Sequence, residues 1–344
     1  MLAASKPPEA RGLSRDGIRL LVATAAGLTH ARFGDLPGFL APGDLLVVNT
    51  SATFAAAVDG HRGDGRPVTA HLSTPLDDGT WLVELRERAP TAGRVTDAAP
   101  GETITLPAGA ALTLLRRYPS ATAARMWAAR ATVGGDVQGF LARHGRPIRY
   151  SYVPEQWPLP AYQSVFARSP GSAEMASAGR PFTPQLVTDL IVAGVMLAPI
   201  TLHAGVASLD AGEPPLPERF SVPEPTARLV NMTRAAGRRV VAVGTTCTRA
   251  LESAADTDGV VRARHGWTDL VLGSGNPARI VNGIVTGWHE PDASHLALLD
   301  AVAGPALVHA AYLAAQEAGY LWHEFGDSCL LLPPAGQPAP ARSP

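Results

Sequence analysis

Two textures within one chain constrain its fold more than any single motif. From about residue 58 to 135, short apolar segments at 68–73, 81–85, 103–106, 112–115 and 126–132 stand between clusters of Gly, Pro and Asp. Strands of that length and spacing make a small antiparallel sandwich or barrel. Beyond residue 170 the pattern alternates. Segments 184–193, 225–236, 245–254, 293–302 and 305–318 read as helices, and 196–203, 238–243 and 268–272 as strands. Such alternation belongs to an α/β domain with partly parallel strands. Residues 45–49 (LLVVN), after the turn Pro42-Gly43-Asp44, read as a buried strand. The expected fold class is therefore α/β. A larger α/β domain, residues 1–57 plus 150–333, is interrupted by a small antiparallel β-barrel domain at 58–149. The Pro- and Ala-rich residues 334–344 are expected to be a disordered tail by composition.

Composition narrows the chemistry. Hydrophobic residues make up 46% of the 344 and charged residues 17%, which suits a sizeable core and not a disordered chain. Basic and acidic residues nearly cancel, 29 against 30, so nucleic-acid binding would need a local patch. Arg143 to Arg149, Arg238-Arg239 and Arg262 to His265 are the arginine clusters, each also readable as solvated loops. Lys6 is the one lysine and sits at the N-terminus, which argues against a catalytic lysine, a pyridoxal Schiff base or a P-loop. Cys247 and Cys329 form neither a CxxC pair nor a zinc spacing. The histidines show no HExxH, so no metal is expected. The N-terminus lacks the apolar run of a signal peptide, and 190–206 reads as a helix end, a turn and a strand. The expectation is a reduced cytoplasmic protein, away from membranes, monomeric or weakly dimeric.

Several segments can carry chemistry. Gly273-Ser274-Gly275-Asn276-Pro277-Ala278 fits a loose dinucleotide pattern. The helix that must follow is missing, because Pro277 and the apolar run 280–285 look like another strand. At 240–253 a buried strand ends on Gly244 and a helix begins at Thr245-Thr246. Exposed N–H groups and hydroxyls at such a helix start hold anionic or hydroxyl groups. Thr245, Arg249 and Glu252 fall at i, i+4 and i+7 and share a helix face. The alternative is a capped helix with an exposed Arg249–Glu252 pair. His203 ends an apolar strand before Gly205, and His289-Glu290 precede a helix. Glu174 is a lone acid in a loop of small residues that could admit a ligand close to the backbone. Each of these also has a purely structural reading.

Taken in order, these segments resemble the S-adenosylmethionine:tRNA ribosyltransferase-isomerases of queuosine biosynthesis. The resemblance runs through Arg15-Asp16, Arg19 to Val22, Gly43 to Asn49, Tyr162 to Ala167, Ser177-Ala178-Gly179 with Phe182-Thr183, and Thr201-Leu202-His203 with Gly205. It is strongest at Ala242 to Thr246 with Arg249, Leu251, Glu252 and Ser253. It continues through Gly266 to Asp269, His289 with Pro291, and Phe325-Gly326-Asp327. The resemblance implies S-adenosylmethionine as co-substrate, with the ribosyl part rather than the methyl group transferred. The implied acceptor is the aminomethyl nitrogen of a 7-deazaguanine base in tRNA. His203 or Glu174 is the implied general base. Gly244, Thr245, Thr246, Arg249 and Glu252 are expected at the co-substrate, with His289, Glu290 and Asp327 lining the rest.

The sequence departs from the family pattern in places. Thr50, Ser51 and Ala52 follow Asn49, where the family usually has a threonine and arginine, and a second family arginine falls at Ala57. Arg180-Pro181 replace Leu-His, Ala207-Ser208-Leu209 replace Gly-Thr-Phe, and Leu216-Pro217 replace a histidine ahead of Glu218. Arginine-to-alanine changes remove charge and bidentate donors suited to phosphate. The acceptor is therefore open at this stage between tRNA and a small metabolite. A non-catalytic protein that binds S-adenosylmethionine or RNA is the third reading.

Overall fold

The structure is a computed structural model that describes residues 2–88, 93–123, 125–206, 215–289 and 294–334. Among the described residues, nine strands form one mixed sheet. Its order is Arg264–Thr268, Glu218–Val222, Met196–Leu202, Leu45–Asn49, Val240–Val243, Gly283–Gly287, Ser328–Leu332, Arg19–Thr24, Gly27–Arg32. The four strands 196–202, 45–49, 240–243 and 283–287 run parallel to one another. Strands 45–49 and 240–243 are buried at every position, as apolar runs inside a sheet covered on both faces should be. The period of two sorts their side chains. Leu45 and Val47 enter a core shared with helices Glu224–Ala235, Thr245–Ala254, Ser294–Ala303 and Pro305–Glu317. Leu46 and Val48 face the opposite core, with Phe33, Leu36 and helix Pro184–Val192.

The expected barrel is present and closed. Its strands run Ala111–Tyr118, Met126–Thr132, Trp81–Glu87, Pro67–Pro75, Ala57–His61 and Thr103–Thr105, and the last pairs with the first. Gly60 lies at the seam, where a Cβ would stand 2.5 Å from the Thr105 carbonyl oxygen, so a side chain there would push the closing strands apart. Helix Val137–His144 starts at Asp136, whose Oδ1 accepts the Gly139 N–H at 2.7 Å. It packs Phe140 and Leu141 into the barrel core.

One expected strand is misplaced. The segment 268–272 is not extended beyond Thr268, because the strand there is Arg264–Thr268. The Arg249 guanidinium takes the Thr268 and Leu270 carbonyls that a continuing ladder would need. The glycine-rich segment that follows closes as a turn, with reciprocal Gly273 and Asn276 backbone bonds, and starts no helix. Residues 335–344, most of the expected tail, lie outside the described residues. Among the described residues no single helix is long and apolar enough to cross a membrane.

Asn49 joins the ends of the central strands. Its Nδ2 donates to the Leu202 carbonyl at 2.8 Å and to Thr246 Oγ1 at 3.2 Å. Its Oδ1 accepts the Leu202 and Ser51 N–H groups, both at 3.0 Å. Both donors and both acceptor sites of a buried amide are thus in use. Asn49→Ala should lower stability by about 2–4 kcal/mol, since it orphans several buried backbone groups. Urea denaturation measures this, and a loss below about 0.5 kcal/mol would mean that the clamp is replaceable.

Candidate active site

Ligands in open α/β sheets bind at the carboxyl ends of parallel strands. A cavity of about 450 Å³ lies there. Its floor comes from the residues just past three of those strands: Ala204 to Val206, Gly244 to Thr246, and Trp288-His289. Ser73 and Thr74 of the barrel strand 67–75 and Ile148, Tyr150 and Tyr152 beyond it form the opposite wall. Among the described lining residues stand three carboxylates, Glu174, Glu218 and Glu324, and one guanidinium, Arg249.

Gly244 turns the chain from strand into helix at φ +90°, in the left-handed region that favours glycine. A Cβ there would lie 3.1 Å from the Ala178 methyl, so that wall can approach closely only because position 244 has no side chain. Thr245 and Thr246 then open the helix on the cavity. Arg249 also reaches the cavity, but its guanidinium already serves other groups. It pairs with Glu218 through Nη1 and donates to the Leu270 and Thr268 carbonyls at 3.1 and 3.2 Å. The exposed Arg249–Glu252 pair considered from spacing does not form, since both side chains are buried and apart in function. Glu252 lies off the cavity and accepts the N–H groups of Arg279, Ile280 and Val281 at 2.8 to 3.0 Å. It fastens that loop to the helix.

Glu174 lies on the cavity wall and accepts the Tyr150 hydroxyl. His203 is not among the lining residues. Its Nδ1 sits 2.8 Å from Ser51 Oγ, which is 2.6 Å from Ser172 Oγ, and Ser172 accepts the Ala204 N–H at 2.9 Å. A Cβ on Gly171 would stand 2.4 Å from His203 Nδ1, so the ring needs that glycine. The imidazole braces the segment that carries Glu174, and burial followed by nearby Arg219 holds it below its ordinary pKa.

His289 lines the cavity, stacked on His295 with ring centres 4.4 Å apart, and its Nε2 lies 3.4 Å from Thr286 Oγ1. Burial keeps both rings below the usual histidine range. Glu290 lies outside the described residues. Asp327 stands one layer behind the cavity. It accepts the Arg19 and Leu321 N–H groups at 2.9 and 2.8 Å and pairs with the Arg19 guanidinium at 2.8 Å. These bonds close the turn 321–327 that carries His323 and Glu324.

That turn brings residues the sequence reading missed. His323 has φ +72°, uncommon for a residue with a side chain, and stacks on Tyr152 with ring centres 3.6 Å apart. Tyr152 donates its hydroxyl to Glu324 Oε2 at 3.0 Å. Tyr162, buried beside them, completes the cluster. The only signal was the Trp322-His323-Glu324 run before the Phe325-Gly326-Asp327 motif, which has no periodicity of its own. Arg180, at a family leucine position, is buried and holds Glu9 at 3.0 Å and the Ala161 carbonyl at 2.8 Å. It is an anchor for the segment that bears Tyr162. Among the described residues no three His, Cys, Asp or Glu side chains gather as metal ligands would.

The chain that folds into this α/β sheet and closed barrel is similar to known proteins over most of its length. Residues 1–331 match the family described as "Queuosine biosynthesis protein". The S-adenosylmethionine:tRNA ribosyltransferase-isomerase of Acidiphilium cryptum is 37% identical over 335 residues, covering 92% of this chain and 93% of that protein. The protein of the same name from Moorella thermoacetica is 33% identical, covering 92% and 94%. The crystal structure of S-adenosylmethionine tRNA ribosyltransferase from Thermotoga maritima superposes with a TM-score of 0.51 at 25% identity, covering 96% of each chain. The chain belongs to the queuosine biosynthesis protein family.

The buried histidines make a pH prediction. Burial lowers His323 from 6.5 to about 4. Between those values the unfolded chain binds the extra proton, so this stabilisation is present above pH 6.5 and is lost as pH falls toward 4. His323→Gln should therefore lose less stability than the wild type between pH 6.5 and 4.5 in urea titrations. Equal losses would mean that His323 is not held neutral.

Proposed function

We infer that the protein is an S-adenosylmethionine:tRNA ribosyltransferase-isomerase. It transfers and isomerises the ribosyl part of S-adenosylmethionine onto the aminomethyl nitrogen of a 7-deazaguanine base in tRNA, and releases adenine and methionine. The observation that carries this reading is the acidic cavity at the strand ends, in a chain that matches the family over residues 1–331. Its volume of about 450 Å³ is of the size that encloses a nucleoside-sized ligand. Three carboxylates against one guanidinium suit a cationic co-substrate. The cavity lies where residues 1–57 plus 150–333, as one domain, meet the inserted domain 58–149.

The reaction starts with removal of a proton from the carbon beside the sulfonium, which needs a general base in a site with few waters. The geometry favours Glu174, whose carboxylate is on the wall and is oriented by the Tyr150 hydroxyl. His203, in contact with Ser51 and backed by Gly171, acts as a positioning residue for the strand leading to Glu174. Gly244, Thr245 and Thr246 receive hydroxyl or carboxylate groups of the co-substrate. Arg249, through Glu218, which accepts the Gly205 N–H at 3.2 Å, keeps the floor in place and adds positive charge near the helix start.

The acceptor reading rests on the relatives rather than on the arginine clusters, several of which have partners. Arg146 pairs with Asp59 at 2.8 Å, and Arg262 with Asp256 at 3.1 Å. Arg149 donates to the Val153 and Pro154 carbonyls. Arg143 and Arg238 remain exposed. A small-molecule acceptor is the second reading, favoured by the alanines at 52 and 57. Incubation with S-adenosylmethionine, with and without precursor-modified tRNA, followed by mass analysis decides between them. The tRNA should gain the ribosyl-derived group while adenine is released. Glu174→Gln should cut adenine release by about 10²–10⁴-fold. Normal release by that variant would remove Glu174 from the base role.

A further inference from the structure

The proposed reaction uses Glu174 and the helix start but leaves the cavity wall around Tyr152, Tyr162 and Glu324 without a role. There Glu324 accepts the Tyr152 hydroxyl through Oε2, while its Oε1 is buried and has no hydrogen-bond partner among the described residues. The Tyr162 hydroxyl, on the same cavity, is buried and equally without a partner. Buried polar atoms of native proteins are nearly always paired, so two orphans on one cavity wall mark a place where a ligand supplies the partner. The turn that holds Glu324 is preorganised. Asp327 closes it at Leu321 and Arg19, and the Gly326 N–H returns to the His323 carbonyl at 2.9 Å. A Cβ on Gly326 would stand 2.5 Å from the Leu321 carbonyl oxygen, so the turn needs glycine there.

The charge of the missing partner follows from the rest of the lining. Arg249 is already paired with Glu218, and Arg180 behind the wall with Glu9, so among the described lining residues no guanidinium is left to neutralise Glu324. We propose that Glu324, with the Tyr152 and Tyr162 hydroxyls, is a subsite for a primary ammonium group of the ligand. The inference rests on the enzyme reading above. A sulfonium has no N–H to offer Oε1, whereas an ammonium has three. Two groups in the reaction have this chemistry: the amino group of the methionine moiety and the aminomethyl group of the acceptor base.

Burial pushes the Glu324 carboxyl up to about 7, against the Tyr152 hydrogen bond and the charge of Arg180. A bound cation favours the carboxylate, so an ammonium ligand should bind about tenfold tighter at pH 8 than at pH 6. The other groups facing Glu324 do not titrate in that range. His323 lies at about 4 and Tyr162 at about 12, and the Arg180 guanidinium, lowered by burial but held by Glu9, keeps its proton there.

Calorimetric titration of the full-length protein with three ligands tests this. S-adenosylhomocysteine carries the amino-acid amine, 5′-methylthioadenosine has the same nucleoside without it, and 7-aminomethyl-7-deazaguanine carries the acceptor amine. Glu324→Gln keeps the shape and the Tyr152 contact. It should weaken at least one amine ligand by about tenfold or more and abolish that ligand's pH dependence, with methylthioadenosine unchanged. Tyr162→Phe should weaken the same ligand by less. The ligand affected identifies which ammonium is held. Unchanged binding of both amines to Glu324→Gln would overturn the subsite and leave the enzyme reading standing. An equal loss of methylthioadenosine would make Glu324 structural and overturn it as well. Failure of the wild type to bind any of the three would overturn the enzyme reading and the subsite together.

Discussion

The Asn49 amide is the constraint on which the site's geometry depends. Its four hydrogen bonds join the end of strand Leu45–Asn49 to Leu202, Ser51 and Thr246. The backbone ladder between strands 45–49 and 196–202 ends here, and the buried amide continues the bonding past it. From those ends depart the segments that form the floor of the cavity. One is the Gly244 turn into helix Thr245–Ala254, and another is the Ala204–Val206 path that receives the Glu174 loop through the Ala173 N–H to Ala204 carbonyl bond at 2.8 Å. The barrel then supplies the opposite wall without contributing to the sheet.

Around this frame the protein separates two electrostatic tasks. Charged groups that only hold structure are fully engaged: Glu252 by three backbone N–H groups, Asp327 by Arg19 and Leu321, Arg180 by Glu9. Groups that face the cavity are less completely satisfied, or are kept neutral. Histidines 289, 295 and 323 are all pushed below their ordinary range by burial, so they add no positive charge that would repel a cation. Carboxylates remain as the source of field in the cavity. In a partly enclosed cavity each of them counts for more than it would in bulk water.

Much of this was legible in the sequence, and the reasons it was not elsewhere are physical. Five of the six barrel strands and helix Thr245–Ala254 were found because apolar periodicity and the Gly-Thr-Thr junction are local signals, whereas strand Ala57–His61, with Asp59 and Gly60 at its centre, was not. Strand Glu218–Val222 and the edge strand Arg264–Thr268 beside it were not, because they are polar and partly exposed and have no apolar run. Helical spacing grouped Arg249 with Glu252, yet the partner of Arg249 is Glu218, 31 residues away and on another element, and Glu252 holds the 279–281 backbone. The same limit hid Glu324, whose environment is built by Tyr152 and Tyr162 from a distant loop. Motif position and ligand chemistry suggested Asp327 and His203 at the ligand, whereas neither is among the residues that line the cavity and both brace segments that do.

The central claim is that the cavity over the strand ends receives the adenosyl co-substrate. Hydrogen–deuterium exchange with and without S-adenosylhomocysteine tests it most directly. Protection should appear in 173–178, 244–249, 287–289 and 321–324, segments far apart in sequence that meet only at this cavity. Protection confined to the barrel face at 62–68 and 94–97, or none anywhere at saturating ligand, would contradict the account.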